Sequence, residues 1–381
     1  MKIAIVRQRY NPYGGAERFI ERALAALRTE GTAVTIVSRQ WPAGAGSAII
    51  CNPWFVGRLW RDLGFARAVC RSLRREQFDL VQSHERLSCC DIFRAGDGVH
   101  RQWLENRGRT QSAWARTVTR LHPFHLYLLA AERRMFEAAR LRAVICNSNM
   151  VRDEILRHFS VDPSRVEVIY NGIDLAHFHP ALREQHRAAV RAALSIGAQD
   201  MTCLFVGSGF ARKGMDSLLR AFATAARAPA RLIVVGADKR EGAARRLAQH
   251  LGIGDRVRFL GGQADVRPYY GAADCFVLPT LYDPFPNAAL EALACGLPVI
   301  VSRQSGAAEL VEPGVNGTVC DAFDPGDVAA ALKRAPQLLG EAARRAARRS
   351  VEHLSIDAMA ARLIALYNRL GASAAVSVSG L

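Results

Sequence analysis

The sequence predicts an α/β protein made of two Rossmann-like units. Three observations carry this. Short apolar strands alternate with helical patterns, the βαβ rhythm of a parallel sheet covered on both faces. The rhythm restarts after about residue 175. The 381 residues are also too many for one typical core.

Lys2–Arg7 reads as the first strand, followed by the loop NPYGGAER and an amphipathic helix from about Ala16 to Arg28, closed by Gly31. Ala33–Val37, Leu80–Gln82, Ile92–Ala95 and Ala143–Cys146 are the next strands expected. Asn171-Gly172-Ile173-Asp174 and Pro180 combine turn formers with a helix breaker and mark a boundary. The domains expected are therefore 1–174 and 175–355. In the second, strands are predicted at Thr202–Val206, Arg231–Val235, Val257–Leu260, Cys275–Leu278, Pro298–Val301 and Gly317–Cys320. Helices between them include Gly214–Ala226 and Asn287–Ala294. A last helical pattern, Ile356–Leu370, could pack back on the first unit, and the tail GASAAVSVSGL is expected to fray.

Composition is that of an ordinary globular protein: 50% hydrophobic, 23% charged and 8% aromatic. No apolar run reaches the roughly 20 residues that span a bilayer. Ile3–Val6 is too short for a signal-peptide core, so a cytoplasmic protein is expected. Nine cysteines cannot all pair, most sit in apolar runs, and no paired CxxC motif suggests zinc. All nine read as small buried hydrophobes, with Cys89 and Cys90 on opposite faces of a strand. The net charge of +16 favours an anionic partner or a solvated basic surface, as on EAARRAARRS. No DNA or RNA motif is present, so no nucleic-acid partner is expected.

Three segments are candidates for chemistry. Gly14-Gly15, directly before a helix, could admit an anion to the helix N-terminus, or could simply form a tight βα turn. GSGFARKGMD, beginning at Gly207, follows a strand at the carboxyl edge where open α/β sheets bind ligands. It lacks the third glycine of a dinucleotide fingerprint, and Met215 stands where a Walker A loop needs lysine. Arg212-Lys213 remain as two adjacent cations suited to a diphosphate, or as two solvated charges. In DPFPNAALEALACGLPVI, Asp283 lies in a loop and Glu291 on the helix starting near Asn287. Carboxylates there can accept bonds from sugar hydroxyls while the helix N-terminus at Asn287 holds phosphate.

This last segment resembles the E-x7-E motif of the retaining glycosyltransferases of family 4, with Asp283 in place of the first Glu and Glu291 matching the second. Gly14-Gly15, Asn171-Gly172-Ile173-Asp174 and Arg212-Lys213 recur in the family's order. Within the family, RYNPYGGAERFI, AGDGVH, GSGFARKGMDSLL and VVGADK are similar to glucosyltransferases of the lipopolysaccharide core that act on inner-core heptose. The resemblance implies a GT-B fold, two Rossmann-like domains facing a central cleft, and transfer of a hexose, with glucose from UDP-glucose the donor expected. It implies that Glu291 binds the ribose, Asp283 the donor sugar, Arg212 and Lys213 the diphosphate, and Gly14, Gly15, Gly207 and Asn287 the rest of the donor. Asp97 aligns with an Asp near the transferred sugar, and His100 lies near a common active-site His. Fixed cations and helix N-termini can stabilise the leaving diphosphate without a metal, and no Asp-x-Asp metal motif appears; no cofactor is expected beyond the donor.

Arg101, Trp103, Arg107, Arg109, Trp114, Arg116 and Arg120 interleave cations with aromatics, suiting an anionic inner-membrane surface that carries a lipid-linked acceptor; the alternative is a solvated basic face. A UDP-sugar epimerase on the same fold, or a family 4 transferase for another envelope glycan, is the rival activity.

Overall fold

Residues 1–9, 32–41, 47–225 and 230–378 are described by the structure, a computed structural model. The helix expected from Ala16 to Arg28 and the Gly14-Gly15 turn lie outside these residues. The chain divides into one unit of residues 1–172 and 356–381 and a second of residues 173–355.

In the first unit, β1 (Lys2–Val6), β2 (Ala33–Ser38), β3 (Ala48–Ile50), β4 (Leu80–Ser83), β5 (Ile92–Ala95), β6 (Ala143–Cys146) and β7 (Val166–Val168) form a parallel sheet, ordered β3-β2-β1-β4-β5-β6-β7. Val, Ile and Leu dominate these strands because both faces are covered. The helices are α1 (Gly57–Arg75), α2 (His100–Gly108), α3 (Ala113–Leu121), α4 (Pro123–Phe136) and α5 (Asn149–His158). On one face Val6, Val81, Phe93 and Val144 cluster with Phe65 and Val69 of α1 and Val151 and Ile155 of α5.

The second unit repeats the plan. β8 (Met201–Val206), β9 (Ala230–Val235), β10 (Val257–Phe259), β11 (Cys275–Leu278), β12 (Val299–Ser302) and β13 (Gly317–Cys320) are parallel in the order β10-β9-β8-β11-β12-β13. Its helices are α6 (Leu182–Ala193), α7 (Met215–Ala225), α8 (Glu241–His250), α9 (Arg267–Ala272), α10 (Asn287–Ala294), α11 (Pro325–Arg334) and α12 (Glu341–Arg349). Strand order reverses between β8 and β11, the switch point where such sheets leave a crevice. Three arginines of α6 tie it to α9. Arg191 donates to Asp274 Oδ2 at 3.3 Å and Thr202 Oγ1 at 3.0 Å, Arg187 pairs with Asp274 at 2.8 Å, and Arg183 bonds the Ala273 carbonyl at 3.2 Å. Arg187 and Arg191 also donate to the Ala272 carbonyl, at 3.1 and 3.3 Å, so carbonyls at the end of α9 gain partners that the helix does not supply.

The chain then returns to the first unit in α13 (Ile356–Val378). Met359, Leu363, Leu366 and Tyr367 cover the second face of that sheet, against Ile3, Ile5, Leu80 and Ile145. Tyr367 also donates from Oη to Gln82 Oε1 on β4 at 2.6 Å.

Three sequence expectations need correction. The tail does not fray at Gly371: α13 runs on through Val378, as its alanines permit. Cys70 and Cys89 form a disulfide, so not all nine cysteines are free hydrophobes; the other seven are free and buried. Cys89 lies in the turn between β4 and β5 rather than in a strand, so alternation across a strand does not apply to it. β3 and β7, three residues each at the sheet edges, are too short to show a periodicity in sequence.

Candidate functional site

β8 ends at Val206 and hands the chain to a loop that reaches α7 through three glycines in left-sided backbone conformations. Gly209 and Gly214 have φ of 78° and 74°, which side-chain-bearing residues rarely adopt. At Gly214 a Cβ would also strike the Pro279 carbonyl, and at Gly207 it would strike the Lys213 side chain. The loop therefore packs against the end of β11 and folds Lys213 back across Gly207.

That folding gathers the predicted residues. Arg212 Nη1 donates to the Tyr282 carbonyl at 3.0 Å and to Asp283 Oδ2 at 3.2 Å. Lys213 Nζ lies 4.0 Å from the same Asp283 oxygen. The Arg212 carbonyl in turn accepts from Leu281 N at 2.8 Å and Thr280 Oγ1 at 3.1 Å, stitching the loop to the segment that carries Asp283. Asp283 N bonds the Gln304 carbonyl at 3.0 Å, which fixes that segment from its other side. Burial lowers the Lys213 pKa, and the nearby charges of Asp283 and Glu291 oppose the effect. Lys213 is thus a desolvated ammonium whose paired carboxylate stands at the outer limit of an ion pair. An anion entering here would be held strongly.

Asn287 is the first residue of α10, whose Pro286 cap supplies no side-chain acceptor to the helix amides. Glu291 is buried one turn further on. The Tyr270 hydroxyl lies 2.8 Å from Glu291 Oε2 and 3.1 Å from the Ala288 carbonyl, so its one proton serves either acceptor. Sequence reasoning missed Tyr270, which sits in the six-residue α9 without a motif. It also missed Asp238. Gly209 N and Phe210 N donate to Asp238 Oδ2 at 2.6 and 3.0 Å, so these two amides of the glycine-rich loop are already occupied. Burial alone would raise the Asp238 pKa, but the amides of Arg240, Phe210 and Gly209 outweigh it and hold the carboxyl below its usual range. The loop therefore offers an anion its side-chain cations. Asp238 lies in the loop after β9, three residues beyond its end at Val235.

Asp97 and His100 belong to the first unit. Asp97 is exposed in the turn after β5. His100 begins α2: its backbone N–H donates to Glu132 Oε1 at 2.7 Å, and its Nε2 lies 3.1 Å from His125 Nδ1. Arg86 Nε donates to the same Glu132 oxygen at 2.9 Å. Burial, with Arg86 and His125 nearby, pushes the His100 pKa down to about 3, so the ring is neutral at physiological pH. Trp103 stacks on His100 at 5.4 Å and carries the Arg107 guanidinium over its ring, leaving it half-buried.

Arg101, Arg107, Arg109, Arg116 and Arg120 are all exposed. α3 buries no residue at all. Trp114, Val118 and Leu121 are exposed at 77%, 47% and 66%, and at about 100° per residue they line up as one apolar stripe. Arg116 and Arg120 fall on the opposite side of that helix. Trp54 and Trp60, paired edge to face at the start of α1, are exposed as well. α1 and α3 both pack on α4. Gly14 and Gly15 lie outside the described residues. No group of three or more His, Cys, Asp and Glu able to hold a metal occurs among the described residues, and no helix there is long and apolar enough to cross a membrane.

Two family models match: Glycosyltransferase Family 4 over residues 13–177 and Glycosyl transferases group 1 over residues 200–337. Among curated proteins, a D-inositol 3-phosphate glycosyltransferase 2 from Catenulispora acidiphila is 37% identical over 202 residues, 50% of this chain and 46% of the relative. A D-inositol 3-phosphate glycosyltransferase from Salinispora tropica is 35% identical over 260 residues, 63% of this chain and 53% of the relative. The chain spans about half the length of the curated relatives it matches. Among solved structures, WaaG, a glycosyltransferase involved in lipopolysaccharide biosynthesis, superposes with a TM-score of 0.80 at 23% identity, covering 95% of this chain and 98% of that one. Anabaena Alr3699/HepE in complex with UDP and glucose gives 0.71 at 18% identity, covering 97% and 100%. These structural likenesses establish the GT-B fold. The chain thus carries a Glycosyltransferase Family 4 domain on its first unit and a Glycosyl transferases group 1 domain on its second, in the GT-B fold.

Proposed function

We propose that the protein transfers a hexose, glucose from UDP-glucose, with retention of configuration, onto the heptose of the lipopolysaccharide inner core. The observation that carries the donor reading is the convergence of Arg212, the buried Lys213 and Asp283 beside α10 with its Glu291–Tyr270 pair. Glu291 accepts the ribose hydroxyls, Asp283 holds sugar hydroxyls, and Arg212 and Lys213 neutralise the departing diphosphate. The start of α10 at Asn287 and the turn at Gly207 face the phosphates. Gly14 and Gly15 join the donor-binding residues in this reading, as the family resemblance implies. Asp97 orients the transferred sugar. No metal is needed, since the two cations supply the charge that a divalent ion would. The UDP and glucose bound by the Anabaena protein of the same fold support this donor class.

The acceptor reading rests on the motif resemblance and on the fold shared with WaaG. The names of the curated relatives favour a second reading, in which the acceptor is an inositol phosphate. Incubating the protein with UDP-glucose and either truncated lipopolysaccharide cores or D-inositol 3-phosphate, and weighing the products by mass spectrometry, decides between them. A hexose added to the heptose-terminated core supports the first reading; one added only to the inositol phosphate replaces it.

A lipid-linked acceptor requires docking at the inner face of the membrane. The exposed Trp114–Val118–Leu121 stripe supplies apolar anchoring, and each arginine of residues 101–120 that comes near the surface adds attraction to anionic lipid of about 1 kcal/mol, Arg116 and Arg120 on the far side of α3 acting only at longer range. Binding to vesicles with anionic lipid should weaken as salt rises. Replacing Arg107, Arg109, Arg116 and Arg120 by Ser should weaken it further while UDP-sugar binding survives. Equal flotation with neutral and anionic vesicles, or no effect of the substitutions, would reduce the segment to a solvated face.

A further inference from the structure

A cavity of about 620 Å³ lies wholly within the second unit, between the start of α6 and α12. Its size is that of a small-molecule site. Arg183, Arg344, Arg345, Arg348 and Arg349 line it, opposed by three glutamates. None of the residues assigned to the donor is among its lining. Arg348 donates to the Ala294 carbonyl at 2.9 Å, at the last turn of α10. The donor residues gather at the first turn of that helix, so the two places are about one eight-residue helix length, ~12 Å, apart.

The positive charge in this cavity is not balanced from within. Glu341 is shared by Arg345 at 3.4 Å and Arg344 at 3.9 Å, and Glu352 stands 3.7 Å from Arg348. The exposed Arg349 forms no side-chain ion pair among the described residues. Arg183 has its pKa lowered first by burial and then by the like charges of Arg344 and Arg187. Asp274, outside the lining and 3.4 Å from Arg183, offsets part of this crowding, and an anion entering the cavity would offset the rest. Two helices also begin here, α6 after Ala181 and α12 after Gly340, and neither has a side-chain cap. At α6 the carbonyls of His179 and Pro180 already accept the amides of Leu182 and Arg183, at 3.2 and 3.1 Å, so the helix-end field here comes mainly from α12.

We propose that this cavity is a second anion site, taking a small molecule that carries a diphosphate group. Several forked guanidiniums at one place suit the paired oxygens of adjacent phosphates better than a lone carboxylate. The half-buried setting of Arg183, Arg344 and Arg348 suits an enclosed small ligand rather than a flat lipid surface. The site does not depend on the transferase reading.

The test is calorimetry on the full chain, with inorganic pyrophosphate as the probe and the donor site first saturated with UDP. The comparison is the Arg345→Ser/Arg349→Ser double variant, whose altered residues are exposed and lie outside the donor site. Pyrophosphate should bind the UDP-loaded wild type. In the variant, losing two charged partners should weaken it at least about tenfold, with UDP affinity at the donor site unchanged. A UDP stoichiometry of two per chain that falls to one in the variant would make the nucleoside diphosphate itself the occupant and equally supports the site. No pyrophosphate heat and one UDP per chain in the wild type would overturn the proposal, as would equal pyrophosphate binding in both proteins. If UDP does not bind at all, the donor reading fails separately. A pyrophosphate site lost only in the double variant, and kept in Lys213→Ala, would still establish the second site.

Discussion

Replacing Glu291 by Ala should remove most of the protein's affinity for UDP while leaving it folded. A carboxylate accepting two ribose hydroxyls loses about 1.5–3 kcal/mol per charged bond when truncated, so weakening by at least tenfold to a hundredfold is expected. The fold should survive because the Tyr270 hydroxyl, which loses the carboxylate, keeps the Ala288 carbonyl 3.1 Å away. Tyr270→Phe should weaken UDP less, since it merely frees the carboxylate to reorient. Calorimetry with UDP measures both. Unchanged affinity in Glu291→Ala, with a normal thermal transition, would remove Glu291 from the donor site.

Replacing Lys213 by Ala should act on the rate more than on binding. The buried ammonium meets the diphosphate most strongly when charge has built up on it, so its loss should lower kcat by about a hundredfold to a thousandfold. The donor KM should change far less, because ground-state contacts with Arg212 and Glu291 remain. Removing a buried charge that stands 4.0 Å from Asp283 frees Arg212 to pair with that carboxylate alone, so the loop should stay in place. Steady-state kinetics separate the two parameters, and near-normal kcat would end the assignment. The same view expects EDTA to leave the wild-type rate intact; strict dependence on added Mg²⁺ or Mn²⁺ would contradict it.

Much of this was legible in the sequence because local rules fixed it. β5, β6, β11, β13 and α10 lie at the predicted residues, being apolar runs bounded by turn formers or a Pro just before the first helical turn. Arg212 and Asp283 were each legible as donor residues from their motifs, while the ion pair between them was not. What stayed hidden depends on contacts between distant residues. Nothing local announces that Asp238 will take the amides of Gly209 and Phe210, 29 and 28 residues away. Tyr270 reaches Glu291 across 21 residues, and Cys70 meets Cys89 across 19. The apolar stripe of α3 was concealed for another reason. Trp103 and Trp114 look alike in sequence, but packing on His100 half-buries the first and leaves the second in solvent.

The claim that the protein transfers a sugar to an acceptor is tested most directly by measuring UDP release from UDP-glucose with and without the heptose-terminated lipopolysaccharide core. Release that requires the core, and matches the hexose it gains one for one, is the predicted result. UDP liberated at the same rate without any acceptor would contradict it and favour an epimerase on this fold.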